Sequence, residues 1–183
     1  MKNTRKCKVC KERFTPRFTA MQSTCERPEC IIEYKNIQQK KDWAVEKKER
    51  KEKLMSTADY VQILQKVFNT YIRLRDKDKP CISCGQELKT IGHASHFYSV
   101  GSYPNLRFNE DNVHRSCEKC NLFLHGNLIE YSLRLPNRIG LDRFNALTEQ
   151  RNGKPVKLTM DEVKEKIAYY KGLISDISKK PYK

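Results

Sequence analysis

The sequence predicts a small α+β fold stabilised by zinc, and three observations lead there. Eight cysteines fall into four pairs, Cys7/Cys10, Cys25/Cys30, Cys81/Cys84 and Cys117/Cys120. Two stretches with helical periodicity flank a loop-rich middle that holds all four histidines. Finally, 37 Lys and Arg against 22 Asp and Glu give a formal charge of +15, and no apolar run approaches the roughly 20 residues of a membrane span. The charged opening MKNTRKCKVC lacks the apolar segment of a secretory signal, so the cysteines are expected in a reducing cytosol, where zinc is favoured over disulfides. Two tetrathiolate zinc centres would lower the net charge to about +11. That balance calls for a polyanionic partner bound through its phosphates, and not for a membrane.

Residues 1–34 are expected to form a first zinc module, with Cys7-x2-Cys10 and Cys25-x4-Cys30 separated by 14 residues. Phe14, Phe18 and the turn at Thr15-Pro16 supply its minimal core, because so small a module cannot hold together without its metal. Cys25 to Cys30, running into Ile31 and Ile32, reads as a knuckle leading into a helix. Residues 35–56 read as a basic helical linker, with eight basic and four acidic residues between Lys35 and Lys53 and no Gly or Pro. Its apolar residues, Trp43 among them, keep no heptad seam, because Lys41, Lys48 and Lys51 fall where knobs are needed. An exposed helix that follows a DNA backbone is the expectation.

Residues 57–135 hold the chemistry. Thr57-Ala58-Asp59 opens an amphipathic helix with Val61, Leu64, Phe68, Tyr71 and Ile72 at helical spacing, and Lys79-Pro80 ends it at Cys81. The pairs Cys81/Cys84 and Cys117/Cys120 then bracket 32 residues containing His93, His96 and His114, with His125 five residues beyond. Four thiolates make a closed tetrahedral site, so the enclosed loop sits on a rigid clasp. A histidine, an asparagine, then C-x2-C-Asn is the layout of a His-Me finger (HNH, ββα-metal) nuclease. Phosphodiester cleavage needs an activated water and relief for the charge that develops on the phosphate and the departing oxygen. His96 is the candidate general base, since imidazole titrates near neutrality. Asn112 either orients that ring or pins the hairpin, because its amide donates and accepts at once. Asn121, expected on the first turn of a helix starting around Cys117, presents a hard carbonyl oxygen to Mg²⁺ or Mn²⁺. His93 is a candidate second ligand, and His125, four residues after Asn121, a further ligand or phosphate contact on the same helical face. His114 reads as a packing residue.

Residues 136–183 form a C-terminal helical region. A short helix and a loop at Asn152-Gly153 precede a capping box, Thr159-Met160-Asp161-Glu162. It opens a helix striped by Val163, Ile167, Tyr170, Ile174 and Ile177, which packs either on the nuclease core or on a second subunit of a homodimer.

The runs Lys6-Cys7-Lys8-Val9-Cys10-Lys11, Pro80-Cys81-Ile82-Ser83-Cys84-Gly85 and Leu106 to His114, followed by Cys117-x2-Cys120-Asn121 and Gly126-Asn127, resemble the NinG (Rap) recombination protein family of lambda-like phages. The likeness spans nearly the whole chain. It implies a structure-specific endonuclease that cuts branched recombination intermediates, D-loops and Holliday junctions, with a divalent metal, in the host cytoplasm and alongside other recombination proteins. The family carries an acidic residue at the position of His93, and Leu122-Phe123-Leu124-His125 is more apolar than the family pattern. Two rival readings are a non-catalytic zinc-dependent DNA-binding phage protein, such as a regulator or an architectural factor, and an HNH nuclease acting on linear duplex.

Overall fold

The computed structural model describes residues 4–18 and 21–179, and divides between Met55 and Ser56 into two units. In the first unit, β1 (Arg5–Lys6) pairs antiparallel with β2 (Arg13–Phe14), and Cys7 and Cys10 sit on the turn between them. Phe18, expected in the core of this module, is 75% exposed. Among the described residues of this unit, the buried side chains are Cys7, Cys30 and Thr24.

The helix expected after the Cys25–Cys30 knuckle and the basic helix expected over residues 35–56 are one element, which begins earlier than expected. α1 spans Pro28–Lys53, so Cys30 lies in its first turn, and the zinc module and the basic segment share one element. Arg27 is extended at the N-cap and Pro28 occupies the first turn, where a missing N–H costs nothing. Glu29 at the start and Arg50, Lys51 and Lys53 at the end suit the helix dipole. Cys30 is its one buried residue, so α1 displays its other side chains.

In the second unit, α2 (Thr57–Arg75) starts from a capping box in which Ser56 and Asp59 bond each other's backbone N–H. β3 (His93–His96) pairs antiparallel with β4 (Val113–Ser116), in the register His93↔Ser116, Ala94↔Arg115, Ser95↔His114 and His96↔Val113. The hairpin is a middle layer. Ala94 and Val113 face a cluster built by Leu64, Phe68, Tyr71 and Ile72 of α2 with Val163, Ile167 and Tyr170 of α5 (Met160–Lys179). The opposite face meets a second cluster of Ile82, Leu106, Tyr131, Leu135 and Leu147, which draws on α3 (Leu128–Ile139) and α4 (Leu141–Gln150). Each fully buried Leu or Phe contributes about 2 kcal/mol. The α5 stripe thus packs within the chain, with Val163, Ile167 and Tyr170 buried and Ile174 and Ile177 partly buried. Its capping box forms as expected, with Glu162 accepting from Thr159 N–H at 2.7 Å and Thr159 Oγ1 accepting from Glu162 N–H at 3.3 Å.

Between Cys117 and Leu128 the backbone departs from the expected helix. Lys119–Phe123 is a single π turn, and His125, Gly126 and Asn127 follow with φ of 47°, 93° and 48°. Three successive left-handed residues cannot continue a right-handed helix, so the helix begins only at Leu128. Similarly, the region expected to be one short helix and a loop is two helices hinged at Gly140, φ 89°. Residues 180–183, the end of the expected C-terminal region, lie outside the described residues.

Candidate metal centres and the His96 site

The sulfurs of Cys7, Cys10, Cys25 and Cys30 lie within 4.8 Å of one another, and so do those of Cys81, Cys84, Cys117 and Cys120. All eight thiols are free. Cys10 and Cys25 are 3.8 Å apart, sulfur to sulfur, as are Cys84 and Cys117. A disulfide would demand about 2.05 Å. By contrast, 3.8 Å matches the edge of a tetrahedron whose centre lies about 2.3 Å from each sulfur, the Zn–S distance. Local backbone makes each quartet. Lys11, at φ 66°, and Gly85, at φ 75°, turn the chain so that their N–H groups reach back to Cys7 O at 3.1 Å and Cys81 O at 2.9 Å. In the second quartet, Cys117 N–H donates to Cys81 Sγ at 3.3 Å and Cys120 N–H to Cys117 Sγ at 3.4 Å.

The acidities fit a cation. Burial tends to raise the Cys7 and Cys81 thiols, but surrounding backbone N–H groups outweigh it and lower them to about 6 and about 7. Cys30 and Cys120 are pushed up to about 12 by burial and by the neighbouring thiols. In each cluster one thiolate forms readily while a buried partner, Cys30 or Cys120, awaits a compensating charge, which is the electrostatic condition of a dication site. Each quartet can hold one Zn²⁺.

His96 ends β3 on the face that looks to α2. Its Nε2 lies 3.0 Å from the carbonyl oxygen of Arg107. A carbonyl only accepts, so Nε2 carries the proton and Nδ1 holds the free lone pair. Burial lowers the ring's affinity for a second proton, opposed by the Arg107 carbonyl and assisted by the Arg107 charge. Arg107 is itself tied to α2 through its Nε, which donates to Gln65 Oε1 at 2.7 Å.

Asn112 is fully buried, and its side-chain hydrogen bonds go to Tyr98 and Leu106, not to His96. Its Oδ1 accepts from Tyr98 N–H at 2.7 Å, and its Nδ2 donates to Tyr98 O at 2.9 Å and Leu106 O at 3.1 Å. It therefore clamps the loop 97–111 that delivers the Arg107 carbonyl. His114 is buried and satisfied: Nδ1 lies 3.2 Å from the Tyr131 hydroxyl, which donates to Ser95 O. Burial, with help from the Arg75 charge, lowers it to about 3.

The candidate cation ligands are spread out. His93 and His96, three apart in a strand, take opposite faces of the hairpin. Asn121 sits in the π turn with its N–H bonded to Cys117 O at 3.0 Å, and its amide side chain makes no hydrogen bond among the described residues. His125 lies beyond that turn in left-handed backbone, so the helical spacing expected to align it with Asn121 does not exist. Among the described residues, these histidines and the carboxylates form no third cluster comparable to the two thiol quartets. A hydrolytic cation would therefore have to draw on amide and phosphate oxygens as well.

Comparison with known proteins decides the family. The profile described as Bacteriophage Lambda NinG protein matches residues 1–180. The chain belongs to the NinG family. It is 32% identical over 189 residues to Protein ninG of Escherichia phage 933W, covering 94% of this chain and 93% of that one. It is 34% identical over 128 residues to Protein ninG of Escherichia phage lambda, covering 70% and 62% respectively. No solved structure matches.

Two contributors in this NinG-family chain escape sequence reading. Arg107 serves through its carbonyl, which every residue has, so its identity carries no signal. Asn127 donates from Nδ2 to Cys120 Sγ, 3.8 Å away, from its left-handed position at the start of α3. The Gly126-Asn127 pair is the signal that could have revealed it.

Proposed function

We propose that this NinG-family chain is a divalent-metal-dependent endonuclease that cuts branched recombination intermediates, D-loops and Holliday junctions, with His96 as general base. The reading is supported above all by the His96 ring: its Nε2 is committed to the Arg107 carbonyl, and burial keeps Nδ1 unprotonated near neutrality. Nδ1 takes a proton from water, the water oxygen bonds to phosphorus, and the P–O3′ bond breaks. Bound Mg²⁺ or Mn²⁺ supplies Lewis-acid stabilisation of the charge on the phosphate and the leaving oxygen. Asn121 offers a carbonyl oxygen, with His93 and His125 as the candidate imidazoles beside it. The hairpin, the thiol-clasped turn and α3 follow the β, β, α order of a His-Me finger. Asn112 is a positioning residue, holding the loop that orients His96. A symmetric pair of subunits would suit the two strands of a junction.

The test compares a four-way junction with a linear duplex of the same sequence. The expected result is junction cleavage in Mg²⁺ or Mn²⁺, far faster than duplex cleavage, with His96→Ala binding the junction normally but cutting it 10²- to 10⁴-fold more slowly, on the order expected for a lost general base. Because the folded ring is lowered below the 6.5 of free imidazole, the rate should rise with pH with its midpoint below 6.5. Absence of cleavage by the unmutated protein in either ion would favour the non-catalytic DNA-binding regulator. Equal cutting of duplex and junction would favour the duplex nuclease.

A further inference from the structure

We propose that α1 is a binding face for unpaired nucleotides, with Trp43 as its stacking platform and Lys40, Lys47 and Arg50 as its phosphate contacts. The choice of nucleic acid rests on the branched-DNA reading, while the site itself stands on the helix. At 100° per residue, Ile32, Asn36, Gln39, Trp43, Lys47 and Arg50 fall on one face of α1, with Lys40 at its border. The acids Asp42, Glu49 and Glu52 fall on the opposite side. Glu46 lies at the edge of the Trp43 face and is paired with Arg50 at 3.5 Å. Trp43 is 63% exposed, although an indole is the most costly side chain to leave in water. Lys47 Nζ stands 4.8 Å from the ring centroid, and Asn36, Gln39 and Lys40 line a shallow depression beside the ring.

The occupant follows from the chemistry. A second copy of α1 would set Lys40, Lys47 and Arg50 against themselves, and the positions flanking Trp43 along this face are polar where a helix seam needs apolar knobs. Duplex DNA matches the charge but hides the faces of its bases. An unpaired strand offers both phosphates to the cations and flat base faces to the indole, the combination used by single-strand binding surfaces. Displaced strands and opened branch points contain such nucleotides.

Trp43 is the chain's single tryptophan, so indole fluorescence reports on this site without a label. The full chain is titrated with oligo(dT), without added Mg²⁺, while an end-labelled copy of the oligonucleotide reports total binding by anisotropy. The expected result is saturable quenching that weakens with salt, little quenching by a duplex of equal length, near-normal affinity for Trp43→Phe and about ten-fold weaker binding for Trp43→Ala. Circular dichroism checks that both variants fold. Binding with an unchanged indole signal, or Trp43→Ala binding like the unmutated chain, overturns the proposal. So does a blue-shifted indole in a free dimer that Trp43→Ala dissociates, which would assign the face to a second copy. Junction cleavage in Mg²⁺ is read separately: if the unmutated chain does not cut, the nuclease reading fails while the quenching result stands by its own outcome.

Discussion

Two imidazoles on neighbouring strands show how environment divides one residue type. His114 is sealed against Tyr131 and held neutral down to about 3, whereas His96 spends one nitrogen on a backbone carbonyl and keeps the other available. What holds that carbonyl in place is Asn112, so the loop and the base share a dependence on one buried amide. Replacing Asn112 with Ala takes away the partner of Tyr98 N–H and Tyr98 O and leaves Leu106 O with Asn109 N–H alone. We expect Asn112→Ala to lose about 3 kcal/mol of stability in urea denaturation. Among the molecules that remain folded, the midpoint of the pH profile of junction cleavage should move up toward 6.5, because His96 loses its buried setting. A stability loss with an unmoved pH profile would show that Asn112 braces the loop without positioning the base. Sequence reading located this asparagine and left two roles open for it. The structure selects the clamp, and the selection depends on loop geometry that residue spacing does not encode.

At the scale of elements, the second unit is tied together where α2 ends. Arg75 reaches Asp76 through two nitrogens, at 3.0 and 2.8 Å, and also bonds Glu110 O and Val113 O. Asp76, fully buried, accepts from Arg115 N–H at 3.2 Å, and the Arg115 guanidinium fans out to backbone carbonyls from Asp76 to Ile91. Burial alone would raise the Asp76 carboxyl, but the Arg75 guanidinium beside it prevails and brings it from 3.8 to about 2. The folded value is depressed, so this stabilisation is complete above about 3.8 and is lost as pH falls through 2. It amounts to about 2 kcal/mol. Asp76→Asn should cost about 3 kcal/mol or more at pH 7, because it leaves the Arg75 and Lys79 charges poorly compensated. The gap between the two proteins should begin to close below pH 4, and a gap independent of pH would contradict the assignment. The amphipathic stripes of α2 and α5 were legible from their periodicity. The start of α1 was missed because Pro28-Glu29-Cys30 reads as a metal knuckle as well as a helix opening, and the π turn was missed because only Gly126-Asn127 marks the left-handed run that forbids a helix.

For the molecule as a whole, the division between Met55 and Ser56 separates two different dependences on metal. The first unit has sulfur where a core should be, and its one long helix buries Cys30 alone. The second unit has two apolar clusters besides its quartet. The cysteine spacings alone announced both quartets, but not this inequality, which depends on how much apolar surface each unit buries. Purified protein should contain about two zinc per chain, and Cys7→Ser/Cys10→Ser or Cys81→Ser/Cys84→Ser should each lower that to about one. Losing the first quartet should unfold the first unit, seen as loss of amide protection around Cys7 to Cys30, with α2 and α5 unaffected. Losing the second should leave the α2/α5 pair protected by its own packing while the turn after Cys117 and the hairpin exchange freely. Cleavage should then vanish, because the hairpin carries His96, even though the chain remains partly folded. If either double variant unfolded both units together, the apolar clusters would not be sustaining the second unit, and the metal would have to be counted as its core as well.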